Sequence, residues 1–167
     1  MKQAAIGIIF DREKTQVLLI KRRDVPVWVL PGGGIEPDET EENTVIRELL
    51  EETGLTCSIQ KKIGTWYPTN KLSAPLHVFE CVPDKGSSDA FHPQEESKEV
   101  AFWPISALPK YTFFLHEEIL KKSLQQVKFP IIEKINISYW KSFMLLLRHP
   151  IFVFRYIISR MGIPFNT

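Results

Sequence analysis

Short runs of β-branched and aliphatic residues alternate with polar clusters along the first 130 residues. "AAIGIIF" and "QVLLIKR", separated by the polar stretch "DREKT", predict two strands joined as a β-hairpin. "VWVLPGGG" predicts a third short strand that ends at Pro31 and a turn made by Gly32, Gly33 and Gly34. The following stretch, "TEENTVIRELLEETG", changes period: Val45, Ile46, Leu49 and Leu50 fall at i, i+1, i+4 and i+5, the stripe of one helix face. Thr40 is placed to cap that helix, Glu41 and Glu42 suit its positive end, and Gly54 stops it.

Further on, "LTCSIQKKIGTWY", "LHVFECV" and "VAFWPI" predict three more strands, and the long polar loop "PDKGSSDAFHPQEESKE" separates the last two. "FFLHEEILKKSLQQV" predicts a second helix with Phe114, Ile119, Leu120, Leu124 and Val127 turned inward. Strands on both sides of a central helix, with another helix following, make the class α+β, helices packed on a sheet. The expected organisation is a domain over residues 1–130 and a helical C-terminal extension over 131–167.

Charge sets the extension apart. Residues 134–167 hold five Lys or Arg and no acid, a charge of +5, whereas residues 1–133 carry −4. Its two apolar stretches are divided by Arg148, His149 and Pro150, so neither reaches the roughly twenty residues of a membrane span. Two arrangements stay open. One is a helical pair packed on the domain or on a second copy in a homodimer. The other is an anchor touching anionic lipid through residues 134–160, with Trp140, Phe143, Phe152 and Phe154 inserted. The packed arrangement is the expected one.

Composition adds little beyond class. With 44% hydrophobic and 25% charged residues the chain is globular, and a net charge of +1 gives it no pull toward nucleic acid. Cys57 and Cys81 lie far apart and outside any C-x-x-C pair, which fits core positions in a reducing, cytoplasmic compartment.

The chemistry concentrates between Glu36 and Glu52, where eight carboxylates accompany one arginine. Helical spacing puts Glu48, Glu51 and Glu52 at i, i+3 and i+4, on nearly one face, where like charges repel. That face is expected to lie away from the core face. Clustered oxygen donors without histidine or thiolate suit a hard cation, Mg²⁺ or Mn²⁺, that also holds substrate phosphate. The glycines before the helix let backbone approach closely.

Spacing sharpens this reading. From Gly33 the chain runs five residues to Glu39, seven more, and then Arg47, Glu48, Leu49, Leu50, Glu51, Glu52, Thr53, Gly54 and Leu55. This resembles, at all nine fixed positions, the signature of the Nudix hydrolases, G-x5-E-x7-R-E-U-x-E-E-x-G-U with U a bulky aliphatic residue. The resemblance implies an α/β/α sandwich with a mixed sheet. It also implies hydrolysis of a nucleoside diphosphate linked to another moiety, by water attacking phosphorus with Mg²⁺ or Mn²⁺. Glu48, Glu51 and Glu52 would hold the metal beside Gly33, Arg47 would orient the carboxylates, and Gly33, Glu39 and Gly54 would fix the loop and helix end.

Other roles are less sharply placed. Relatives of this kind often draw a general base from a glutamate before the last strand, which points to Glu96 ahead of Glu95 and Glu99. Lys21, Arg22 and Arg23 end a strand and are candidates for phosphate contacts; Trp66 and Tyr67 are candidates for stacking on a base. Pro68 stands fourteen residues past Gly54, near but not at the proline marker of ADP-ribose hydrolases, and Tyr67 falls short of the diadenosine polyphosphate marker. The expected partner is a nucleotide-type small molecule. Two rival readings are a noncatalytic nucleotide sensor and an adaptor acting through the C-terminal helices; sensors of this type often lose a signature glutamate, and this chain keeps them all.

Overall fold

Alternation along the first strand decides the layering. Strand β1 (Ala4–Ile9) sends Ala5 and Ile9 into one apolar cluster and Ile6 and Ile8 into another. The first cluster takes in Val45 and Leu49 of helix α1 (Glu41–Thr53), and the second takes in Leu115, Ile119 and Leu120 of helix α2 (Phe114–Gln125). The two helices therefore cover different sides of the strands. This computed structural model describes residues 3–69, 74–85, 97–125 and 128–135.

The remaining strands are β2 (Gln16–Arg22), β3 (Trp28–Val29), β4 (Gly32–Gly34), β5 (Cys57–Pro68), β6 (Leu76–Pro83), β7 (Ser97–Pro104) and β8 (Ile131–Ile135). They form a mixed five-stranded sheet in the order β4-β1-β6-β5-β8 and a three-stranded sheet in the order β3-β2-β7. In the larger sheet β1 runs parallel to β6 and β5 parallel to β8, while β1–β4 and β5–β6 are antiparallel. A mixed sheet and an antiparallel one, with helices on different sides, fit the expected α/β/α sandwich.

Several expectations change here. β1 and β2 are not a hairpin. Asp11 ties the turn by accepting the backbone N–H of Thr15 and of Gln16, both at 2.7 Å, but past the single bridge between Phe10 and Val17 the strands enter different sheets. The three glycines are not a turn; they are strand β4, with Gly32 opposite Ile6 and Gly33 opposite Ala5. Residues 131–135 are a strand rather than the start of a helix. Gly64, across from Ile131, makes room for that pairing, since a Cβ there would come within 2.9 Å of the Ile131 Cβ. In α2, Ile119 and Leu120 are buried as expected, but Phe114 and Leu124 are exposed, and Val127 lies outside the described residues. The expectations for residues 136–167 also fall outside them.

Helix α1 seats where β1 has no side chain. A Cβ on Gly7 would meet the two Leu49 methyls at 3.1 Å and a Val45 methyl at 3.2 Å, so the glycine lets the helix lie close on the sheet. Leu49 is fully buried there, and truncating such a residue to alanine costs about 2–5 kcal/mol. Packing, more than helix propensity, fixes the height of α1 above the strands. At its first turn Glu41 pairs with Lys62 of β5 and His77 of β6, and the His77 Nε2 lies 2.7 Å from the Gln3 side-chain oxygen.

Candidate active site

The helix begins and ends where the sequence expects. Thr40 is extended and its Oγ1 accepts the Asn43 N–H at 3.2 Å; Gly54 is left-handed at φ 75° and donates its N–H to Leu50 O at 2.9 Å. No basic residue occupies the last turn, so Glu51 and Glu52 sit at the negative end of the helix dipole. That is an unfavourable place for carboxylates without a counter-charge.

Part of the counter-charge is Arg47. Its Nε and Nη2 bind the two oxygens of Glu39 at 2.9 and 3.0 Å, its Nη1 donates to Glu48 Oε1 and Glu51 Oε2, both at 2.9 Å, and Nη2 also reaches Gly34 O at 3.3 Å. The five contacts use the donor capacity of one guanidinium fork. Hydrogen bonds from Arg47 and from Thr44 pull the Glu39 carboxyl down to about 2, and the same pairing raises Arg47 above its usual range. Glu39 thus anchors Arg47, whose remaining donors reach Glu48 and Glu51.

The acidic face is not turned away from the protein, as its separation from the Leu49 stripe suggested. Glu48 is 9% exposed and Glu52 3%, while Leu50 is 48% exposed. The reason is strand β4, which lies over the acidic side of the helix. Gly32 donates its N–H to Glu52 Oε2 at 2.7 Å, and a Cβ on Gly33 would stand 2.5 Å from Glu48 Cδ. Gly32 itself has φ 146° and passes close to Ile6, so both glycines are required by space.

The donor set fits a hard divalent cation. Glu48 Oε1 and Glu51 Oε2 converge on one nitrogen of Arg47, and Glu52 stands a residue further along, all oxygen ligands. Among the described residues no three acids, imidazoles or thiols already form a finished coordination cluster. Arg47 holds two of the oxygens that a cation would share.

The other candidates separate. Arg22 forks onto Asp24 at 2.8 and 2.5 Å; Arg23 Nε donates to Ser97 O at 3.0 Å; Lys21 pairs with Glu99 at 2.6 Å and lies over the Trp28 ring. Trp66 is 2% exposed within the core, which leaves it no free face for a base, whereas Tyr67 is 47% exposed. Glu95 and Glu96 lie outside the described residues. Cys57 and Cys81 are buried, and burial pushes both thiols up to about 12, so they are core groups as expected.

Two site-adjacent residues escaped the sequence. Ser97 is fully buried and donates its Oγ to Glu52 O at 2.8 Å, joining the start of β7 to the end of α1. His116 accepts the Leu30 N–H at Nδ1, 2.9 Å away. A lone serine and a lone helical histidine carry no pattern that would single them out.

The comparisons agree with this geometry. Residues 1–131 match the NUDIX domain, and the chain belongs to the Nudix family. It is 44% identical over 77 residues to a protein of Bacillus subtilis (strain 168) described as a putative 8-oxo-dGTP diphosphatase, a match that covers 46% of this chain and 50% of that one. The chain therefore spans about half of that relative's length. It is 31% identical over 126 residues to an ADP-ribose pyrophosphatase of Methanocaldococcus jannaschii, covering 71% of this chain and 70% of that one. The structure of a NUDIX hydrolase from Nitrosomonas europaea superposes with a TM-score of 0.68 at 24% identity, over 81% of this chain and 79% of that one.

Proposed function

We infer that the chain is a hydrolase that opens the diphosphate bridge of a nucleoside diphosphate linked to another moiety, with Mg²⁺ or Mn²⁺ as cofactor. The observation that carries the reading is the packing of Glu48 and Glu52 beneath Gly33 and Gly32, with Arg47 binding Glu39, Glu48 and Glu51 at once. A purely structural salt-bridge network has no need to bury two carboxylates at the negative end of a helix against a side-chain-free strand.

Glu48, Glu51 and Glu52 would hold the cation, which when bound supplies neutralisation of phosphate oxygens and acidification of a water. The chain's own residues do the rest. Arg47 keeps Glu48 and Glu51 oriented, Gly32 fixes one oxygen of Glu52, and Gly33, having no side chain, lets the Glu48 carboxylate lie against the strand. Water adds to phosphorus, the bridging P–O bond breaks, and the leaving phosphate departs with the second moiety. Glu96 stands as the candidate base for the water proton, ahead of Glu95, Glu99 and the helix glutamates themselves. The assigned unit is the nucleoside diphosphate, because the substrates named for the Bacillus and Methanocaldococcus relatives both contain one. Two thiols without a disulfide support a cytoplasmic location.

A panel of nucleoside triphosphates, an oxidised deoxynucleotide, nucleotide sugars and ADP-ribose, each with Mg²⁺ and with Mn²⁺, tests the reading by chromatography of the products. Glu52→Gln keeps the volume and the acceptor for Gly32 and removes one negative charge. It is expected to lower turnover by at least about a hundredfold with the fold intact. A folded Glu52→Gln protein with unchanged turnover, or tight nucleotide binding by the unmodified chain without hydrolysis of any substrate, defeats the assignment.

A further inference from the structure

The segment leading into the glycine strand is held by a side chain acting as backbone. Residues 111–113 run parallel to β3: Trp28 donates its N–H to Tyr111 O at 2.9 Å, and Phe113 donates its N–H to Trp28 O at 2.9 Å. In a parallel ladder the next bond would take the Leu30 N–H to Phe113 O. That carbonyl is already used by the first turn of α2, accepting from His116 N at 2.9 Å and Glu117 N at 3.2 Å. The Leu30 N–H goes instead to His116 Nδ1 at 2.9 Å. Leu30 is only 1% exposed, so without that acceptor its N–H would be a buried orphan.

We propose that His116 is a positioning residue for the metal site, standing in for the missing carbonyl and fixing the crossover at Leu30 and Pro31 from which Gly32 and Gly33 reach Glu52 and Glu48. The chain of contacts is short. Pro31 O accepts from Gly7 N at 2.9 Å, Gly32 N–H holds Glu52, and Gly33 covers Glu48. The Leu30 N–H, the Pro31 carbonyl and the Gly32 N–H are thereby pinned in succession, which leaves little slack to absorb a shift at Leu30. The Phe113 ring stands edge-on to the imidazole at 5.2 Å and braces its plane. Burial, reinforced by the charge of Arg22, holds the imidazole down to about 4, which keeps Nδ1 an acceptor at neutral pH. The inference rests on the hydrolase reading only for its catalytic consequence.

His116→Phe keeps a ring and removes the acceptor, and His116→Asn restores an acceptor near the same place; His116→Ala replaces the phenylalanine variant if that one does not fold. Exchange of the Leu30 amide is expected to be at least about tenfold faster in His116→Phe or His116→Ala than in the unmodified protein, and near the unmodified rate in His116→Asn. Mn²⁺ affinity measured by electron paramagnetic resonance, and kcat at saturating substrate, should fall by about tenfold in the same variants and recover in His116→Asn. A Leu30 amide equally protected without the acceptor overturns the proposal, as do unchanged Mn²⁺ affinity and kcat in a folded His116→Phe protein. If the unmodified chain neither binds Mn²⁺ nor hydrolyses a nucleotide, the hydrolase reading fails, and the amide exchange still decides the role of His116.

Discussion

Replacing Gly33 by alanine puts one methyl group where the structure has no room for it. The new Cβ would lie 2.5 Å from Cδ of Glu48 and 2.8 Å from Oε2, with Oε1 nearer still. Relief to an ordinary contact requires the carboxylate or the strand to move by about 1 Å. Neither is free to do so. Glu48 Oε1 is bound to Arg47, whose other donors are committed to Glu39, Glu51 and Gly34 O, while Leu49 beside it is locked in the core. On the strand side, Gly33 pairs with Ala5 and its neighbour Gly32 is bonded to Glu52. Overpacking of this kind costs about 1–3 kcal/mol of stability, and if Glu48 holds the metal as proposed, its displacement by about 1 Å is expected to lower turnover on the order of a hundredfold. Gly34→Ala is the control, because a Cβ there meets nothing within 4 Å; it should change stability by less than about 0.5 kcal/mol. Urea unfolding gives the first quantity, and turnover against Mg²⁺ concentration gives the second. Turnover in Gly33→Ala within about threefold of the unmodified protein, or equal damage from Gly34→Ala, would refute the crowding argument.

Three further outcomes follow from the same contacts. Arg47→Lys keeps the charge but offers three donors where five are used, so turnover should fall at least about tenfold while stability drops by about 1 kcal/mol; steady-state kinetics and thermal unfolding check both. His116 has a folded pKa of about 4 against an ordinary 6.5, so the unfolded chain binds the extra proton first and stability is lost as pH falls from about 6.5 toward 4. That loss amounts to at most about 3 kcal/mol, and unfolding of His116→Asn over the same range should lack it. A chain ending at Gln125 loses β8 and uncovers the β5 edge at Gly64 and Trp66, so its melting temperature should fall further than that of a chain ending at Ile135; equal melting temperatures would show that β8 contributes nothing.

The helix was legible because its signals are local. Thr40, Gly54 and the apolar stripe are each read within one turn, and the glutamate spacing carried the chemistry before any fold was known. The pairing of strands was not. β1 and β2 are buried on both faces, and continuous apolar runs of that kind do not reveal which sheet a strand joins. The burial of Glu48 and Glu52 depends on the chain crossing from one sheet to the other between β3 and β4, a long-range event that helical periodicity cannot register. The burial of Trp66 was hidden for a related reason: β5 packs on both faces, with Cys57 and Ile59 in one apolar cluster and Ile63 and Trp66 in the other. His116 acts only through the place where α2 meets β3, so its meaning exists only in the assembled structure.

The crowding of acids around Arg47 has a consequence for the order of events. Four acidic side chains, Glu39, Glu48, Glu51 and Glu52, gather at this site, and three of them share the one Arg47 guanidinium. A nucleoside diphosphate is itself an anion, and at contact distance salt screens that repulsion poorly. The nucleotide should therefore arrive with its cation or after it. Starving the protein of divalent metal should raise KM for the nucleotide as well as lower kcat, and adding a chelator to a nucleotide-loaded protein should release the nucleotide instead of trapping it. Crowded acids at the site would in this way act as a gate, admitting the nucleotide only when a cation comes with it.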